Sequence, residues 1–169
     1  LLQDWKYLEI VNGSLIRYSG RANDVILPEG IQIVGESAFK DSKVHGVSLP
    51  NSLLSIEDGA FEGCINLADF VLPQRVKRIG NYAFKGCSSI RSIDLSNVEI
   101  CGNGCFSECE SLSQAVLPNG ITSISNYMFL RTALVEITIP PKVKTIGQNA
   151  FEDCFSLKKI HLPNGIEKI

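Results

Sequence analysis

The chain has 169 residues, 44% of them hydrophobic and 20% charged. That is enough for one domain with a sizeable core and too apolar for a disordered segment. Sixteen basic against eighteen acidic side chains leave a formal charge of −2, without the basic excess of a dedicated nucleic-acid binder, and no stretch approaches the apolar length of a membrane-spanning helix; neither a nucleic-acid partner nor membrane insertion is expected.

The chain opens Leu1-Leu2-Gln3-Asp4, with no methionine and no signal-peptide pattern, as a processed chain or an excised piece would. Residues 1–23 are predicted as an N-terminal capping hairpin. Trp5, Tyr7, Leu8 and Ile10, then Asn12-Gly13, then Leu15, Ile16 and Tyr18 read as two strands joined by an Asn-Gly turn. Asn12-Gly13-Ser14 is also a formal glycosylation sequon in that turn.

Residues 24–169 are periodic. Phe39, Phe61, Phe84, Phe106, Phe129 and Phe151 recur every 22 or 23 residues. A Leu-Pro pair keeps the same step at Leu27-Pro28, Leu49-Pro50, Leu72-Pro73, Leu117-Pro118 and Leu162-Pro163, with Leu95-Ser96 and Ile139-Pro140 as variants. The full pattern is L-P-x-x-V-x-x-I-G-x-x-A-F-x-x-C-x-x-L-x-x-I-x. It makes six repeats plus a partial seventh. No unit is large enough to bury its own apolar side, so the units must stack into one continuous core. The L-x-x-I-x-L segment alternates apolar and variable residues and suits a short strand. Stacking sets these strands side by side and parallel, and the proline ends each one. The V-x-x-I stretch makes a second extended side, with Gly35, Gly80, Gly102 and Gly147 at the corner that follows. The A-F-x-x-C stretch is predicted as a single helical or 3-10 turn that drops its phenylalanine inside. The array stops at Ile169 without a capping element. It is expected to continue, or to be covered there by another chain.

Six cysteines invite a metal or disulfide reading, but the register opposes it. Cys64, Cys87, Cys109 and Cys154 lie three residues after the marker phenylalanine, Cys101 fills an isoleucine slot and Cys105 an alanine slot. All six are predicted as free, buried core thiols. There is no C-x-x-C pair and no histidine nearby, so no zinc site or other cofactor is expected.

Little else suggests chemistry. His45 and His161 stand five coils apart, about 24 Å at the strand spacing, too far to share a site. Asp69 and Asp94 should project from adjacent coils at a separation resembling that of glycosidase carboxylates, which leaves a glycan hydrolase as a remote alternative. Nothing nearby suggests a pocket that would raise one pKa, and an enzyme is not expected. Arg75, Lys77, Arg78 and Lys85 cluster on the third coil, as an anion site or as a solvated edge.

The motif closely resembles the BspA-like leucine-rich repeat family over residues 24–169, and the segment from Tyr7 to Pro28 looks like the opening hairpin of such arrays. Ordinary leucine-rich repeats carry an asparagine column and lack the L-P and A-F signatures. The resemblance implies a leucine-rich repeat solenoid wound as a right-handed superhelix, with its short parallel strands on one face. It also implies a secreted or cell-surface protein that acts as an adhesin or binds host or microbial proteins. Ser96 for proline and Cys101 for isoleucine depart from the pattern and put the regularity of the fourth coil in doubt.

The face expected to meet a partner is made of two variable strand columns. One is Gly46, Asp69, Ser92, Gln114, Glu136 and Lys159; the other is Ser48, Val71, Asp94, Val116, Thr138 and His161. Small, mixed and largely uncharged residues suit a flat protein contact better than a small-molecule pocket. A solvated sheet face fits equally well, and so does a stalk that displays other domains.

Overall fold

A computed structural model describes residues 5–68 and 70–169. Among them are fourteen strands, all short: β1 (Leu8–Val11), β2 (Ser14–Tyr18), β3 (Asp24–Ile26), β4 (Ile33–Val34), β5 (Gly46–Ser48), β6 (Ser55–Ile56), β7 (Arg78–Ile79), β8 (Ser92–Asp94), β9 (Ile100–Cys101), β10 (Gln114–Val116), β11 (Ser123–Ile124), β12 (Glu136–Thr138), β13 (Thr145–Ile146) and β14 (Lys159–His161). The chain coils about seven times as a parallel β-solenoid. After the hairpin, strands pair in parallel with counterparts on a neighbouring coil, as Glu136–Thr138 does with Lys159–His161.

The hairpin comes first. β1 and β2 pair antiparallel around Asn12 and Gly13, whose φ angles of 48° and 76° are those an Asn-Gly hairpin turn requires. β2 then pairs in parallel with β4, so the hairpin leads directly into the first coil. Tyr18 takes the place of a repeat phenylalanine. Its N–H donates to Ala38 O at 2.8 Å, and its ring centre lies 5.1 Å from that of Phe39.

The core is a column of stacked rings. Phe39, Phe61, Phe84, Phe106 and Phe129 are fully buried, and successive rings from Phe39 to Phe151 lie 4.9 to 6.1 Å apart. From Phe39 to Phe106 the ring planes agree within 9°. This parallel stacking follows from identical backbone geometry repeated one coil on. Phe70 enters edge-on between Phe61 and Phe84, at 5.6 and 4.8 Å.

The two extended sides are unequal. The V-x-x-I side forms a six-stranded sheet in the order β1-β2-β4-β6-β7-β9, and continues as the pair β11-β13. Among the described residues the L-x-x-I-x-L side forms the pairs β3-β5, β8-β10 and β12-β14. Its second coil, at Phe70 and Val71, carries no strand. The main ladder is therefore on the side that the sequence marks less clearly.

A third ladder runs along the turns. The N–H groups of the phenylalanine and of the residues two before and two after it donate to the next coil: Gly59 to Asn81 O, Phe61 to Ala83 O and Gly63 to Lys85 O, at 2.7 to 2.9 Å. These segments are turns, with bonds such as Cys64 N–H to Phe61 O at 3.1 Å, and not helices. Among the described residues the one helical element is a 3-10 turn, Trp5–Tyr7, before the hairpin. The flanking positions hold positive φ in every coil, although most are not glycine: Ser37, Tyr82, Tyr127 and Asn149 before the ring, and Asp41, Glu108, Arg131 and Asp153 after it. The strain of left-handed backbone is offset by these hydrogen bonds between coils, as at Ser37, Tyr82 and Tyr127.

The corner glycines have a different reason to be glycine. Gly80 shows no positive φ, but a Cβ there would lie 2.5 Å from the Asp58 backbone nitrogen; at Gly102 it would lie 2.4 Å from that of Asn81. The constraint is close approach between coils, not turn conformation.

The fourth repeat is where the V-x-x-I sheet is interrupted, between β9 and β11. There the Ser125 hydroxyl donates to Cys101 O, the carbonyl that a main-chain N–H from the next coil takes elsewhere in the column, as Gly102 N–H takes Ile79 O. The sequence departures at Ser96 and Cys101 thus fall in the coil that bounds the break.

Candidate partner-binding face

The strand columns place most of the expected face in solvent. Ser48, Ser92, Asp94, Gln114, Glu136, Thr138 and Lys159 are exposed, and His161 is half-buried. Val71 and Val116 expose 82% and 55% of their surface, unusually much for valines flanked by core residues. Gly46 is buried and offers no side chain, so it corrects the expected set: it belongs under the face and not on it. Asp69 lies outside the described residues. A concavity of about 600 Å³ opens beside Ser48, Phe70 and Val71.

Parallel register brings three of these residues together. Glu136 pairs with Lys159 across β12 and β14, and Thr138 with His161. The Glu136 carboxylate meets the His161 ring nitrogen, with Lys159 Nζ 3.8 Å away. The hydrogen bond from His161, with the nearby lysine, holds Glu136 below the usual carboxylate range. These contacts are solvent-exposed and contribute little to stability. They fix the side chains as a mixed-charge patch.

Asp94 has a local structural task. Its Oδ1 accepts the Ser96 N–H at 2.9 Å, closing an Asx turn where the other repeats have proline. This hydrogen bond lowers its pKa. A general acid in glycoside hydrolysis needs the opposite shift, so Asp94 is unsuited to that role.

The basic cluster is largely neutralised. Lys77 faces Glu99 at 3.5 Å, Arg78 faces Glu57 at 3.5 Å and Lys85 faces Glu108 at 3.7 Å. Each pair joins neighbouring coils, which is the pattern of a solvated edge.

The cysteines also divide. Cys64, Cys87, Cys105 and Cys109 are fully buried, but Cys101 and Cys154 are only half-buried, which corrects the expectation of six buried thiols. Cys101 borders the interrupted sheet, and Cys154 lies on the sixth repeat, whose Phe151 and Leu157 are also only half-buried. The thiols three residues after the ring each donate to a phenylalanine carbonyl of the preceding coil: Cys64 to Phe39 O at 3.0 Å, Cys87 to Phe61 O and Cys109 to Phe84 O at 3.1 Å, and Cys154 to Phe129 O at 3.0 Å. Burial pushes the Cys64 thiol up to about 12. Among the described residues no group of three His, Cys, Asp or Glu side chains could hold a metal ion, and no helix is long and apolar enough to cross a membrane.

A second polar feature escaped the sequence reading. Asp58 accepts both the Asn81 N–H and its side-chain amide, at 2.8 and 2.9 Å, and Asn81 Oδ1 accepts the Asn103 N–H at 2.8 Å. Asn126 does the same for the Gln148 N–H. The signal was the column Asp58, Asn81, Asn103, Asn126, three residues before each ring.

Known proteins agree with this architecture. The model of the BspA type leucine rich repeat region matches residues 11–132 and 96–169. A Bacteroides ovatus leucine-rich repeat protein is 29% identical, with a TM-score of 0.85 over 90% of this chain and 42% of its own. A T. pallidum leucine rich repeat protein is 30% identical, with a TM-score of 0.84 over 94% of this chain and 81% of its own. A leucine rich cell surface protein from Faecalibacterium prausnitzii is 28% identical, with a TM-score of 0.67 over 87% of this chain and 49% of its own. The chain thus spans less than half the length of the B. ovatus and F. prausnitzii proteins. No curated protein sequence matches. None of these similarities indicates an enzymatic family. With the repeat, the ring column and the family model in agreement over most of its length, the chain belongs to the BspA-type leucine-rich repeat family.

Proposed function

We propose that this chain is a non-catalytic protein-binding module of a cell-surface or secreted protein, and that it reads its partner with the L-x-x-I-x-L strand face. The observation that carries the reading is the exposure of Val71 and Val116 in columns whose other members are polar or charged. Apolar side chains with a polar rim are how a protein contact is usually built. The Glu136, Lys159 and His161 patch supplies directional contacts beside them. The similarity to a leucine rich cell surface protein supports the location, and the solenoid gives a rigid base on which such a face needs no ordering on binding.

The test is a double variant, Val116→Lys with Glu136→Gln, which sets no like charge against Asp94 or Lys159 in the parallel register. Both positions are exposed, so the melting temperature should stay within a degree or two of the parent. Proteins from bacterial or host cell surfaces that the parent chain retains should be lost or strongly reduced. Equal retention by parent and variant would reject this face. Retention by neither would favour a chain that serves as a spacer.

A further inference from the structure

The fourth repeat carries two thiols that the fold does not need. Cys101 stands where Ile56, Ile79, Ile124 and Ile146 stand in the other repeats, and Cys105 stands where Ala38, Ala60, Ala83 and Ala150 stand. An isoleucine and an alanine would fill both columns. The two cysteines lie on either side of one corner, Gly102-Asn103-Gly104, and both pack into the core beside it, where the Cys101 thiol also raises the pKa of Cys105. Cys105 is fully buried. Cys101 is half-buried and lines a cleft of about 160 Å³, with Ile121 and Met128, where the main-chain ladder to the next coil is interrupted. One thiol is reachable and its neighbour is shielded. The remaining four cysteines are each engaged with a phenylalanine carbonyl of the preceding coil.

We propose that Cys101 and Cys105 form a dithiol–disulfide couple, with Cys101 as the entry thiol and a low-molecular-weight disulfide as oxidant. The Cys101 thiolate attacks one sulfur of that disulfide. The small S–S bond breaks, a mixed disulfide forms on Cys101, and the other sulfur leaves as a thiolate that takes up a proton. The Cys105 thiolate then attacks the Cys101 sulfur. The mixed bond breaks, the second small thiolate leaves and is protonated, and Cys101–Cys105 is closed. Two cysteine thiols are oxidised, and one small disulfide is reduced to two thiols. Attack requires thiolate, and burial holds Cys105 protonated well above the ordinary thiol range. The second step is therefore the slow one, and the mixed disulfide appears before the closed pair.

The experiment uses the whole 169-residue chain, folded, with excess oxidised glutathione, followed by acid quenching, unfolding and alkylation of the remaining thiols. Cleavage after Glu99 and Glu108 releases peptide 100–108, in which Cys101 and Cys105 are the only cysteines. A glutathione adduct on this peptide should rise first. It should then give way to an unalkylated peptide lighter by about two mass units than the dithiol form. Cys105→Ala, which restores the alanine of its column, should stop at the adduct. Cys101→Ile, which restores the isoleucine, should show neither adduct nor link. The proposal is overturned if the parent peptide stays fully alkylated, if its adduct never converts, if either cysteine links instead to Cys109, or if Cys105 is oxidised in the Cys101→Ile variant.

Discussion

The Cys87 thiol donates to the Phe61 carbonyl oxygen at 3.1 Å, across one coil of the solenoid. That carbonyl already accepts the Cys64 N–H of its own turn, also at 3.1 Å. A buried carbonyl has two lone pairs, and the column after each ring must supply a second donor from a small, otherwise apolar side chain. Cysteine meets both needs. Thr132 departs from the arrangement: its hydroxyl turns back to Phe129 O of its own coil, at 3.0 Å.

Burial of these thiols predicts a loss of stability in alkali. Cys64 titrates at about 12 in the folded chain against an ordinary 9.0. The folded state therefore holds its proton more tightly than the unfolded state. Stability from this group is complete below pH 9 and falls as pH rises from there towards 12. Denaturant melts at stepped pH should show that fall, and Cys64→Ala should make it shallower, since Cys87, Cys105 and Cys109 are raised by burial as well. A flat parent profile would contradict the burial.

The ring column predicts a position-dependent penalty. Phe84 is fully buried between two parallel rings, with Phe70 against its edge, whereas Phe151 is half-buried with one ring neighbour. Phe84→Ala should cost about 3–5 kcal/mol, and Phe151→Ala clearly less. Urea denaturation of the two variants measures the difference, and equal losses would rule out the column as the main source of stability.

Two glycines should respond in opposite directions. Gly80→Ala would place its Cβ 2.5 Å from a backbone nitrogen, whereas at Gly120 nothing lies within 4 Å and φ is not left-handed. The first substitution should lower stability by about 1–3 kcal/mol through overpacking. The second should leave it unchanged or raise it by up to about 1 kcal/mol, by restricting the unfolded chain. Thermal melts of the pair check this directly.

Asp94 should titrate below the ordinary aspartate value of 3.8, because the Ser96 N–H stabilises its carboxylate. A lowered folded pKa contributes stability that is present above the unfolded value and is lost as the pH falls through the folded one. Since the residue is almost fully solvated, the contribution is small. A carbon-detected NMR titration gives the value, and a pKa above 5 would reopen the hydrolase alternative.

Much of this was legible in the sequence, because an apolar period survives any local irregularity. The rings at Phe39 to Phe151 fell where the pattern put them, and so did the strands, except at Phe70 and Val71. The turn-side ladder was not legible. It depends on left-handed backbone before and after each ring, and most of those positions are Ser, Tyr, Asn, Asp, Glu or Arg, so the usual glycine signal is missing. The glycine recurring at the corner was legible, but for the wrong reason: Gly80 and Gly102 are held by the approach of the preceding coil. On the candidate face, Gly46 could not be told from its neighbours, because alternation assigns a side and not a depth. Asp94 looked like a free acid because its partner is a backbone N–H two residues on, which leaves no mark in composition.

The most direct measurement of the proposed function is site-specific photo-crosslinking. A crosslinking side chain is placed at position 116 on the strand face, and in a second chain at position 82 on the turn side, where Tyr82 is also exposed. Each folded chain is irradiated with proteins from bacterial or host cell surfaces, and the adducts are identified by mass. The proposed function requires a discrete adduct from position 116 that an excess of unmodified chain abolishes, with none from position 82. Adducts from position 82 alone, or from neither position, would contradict it.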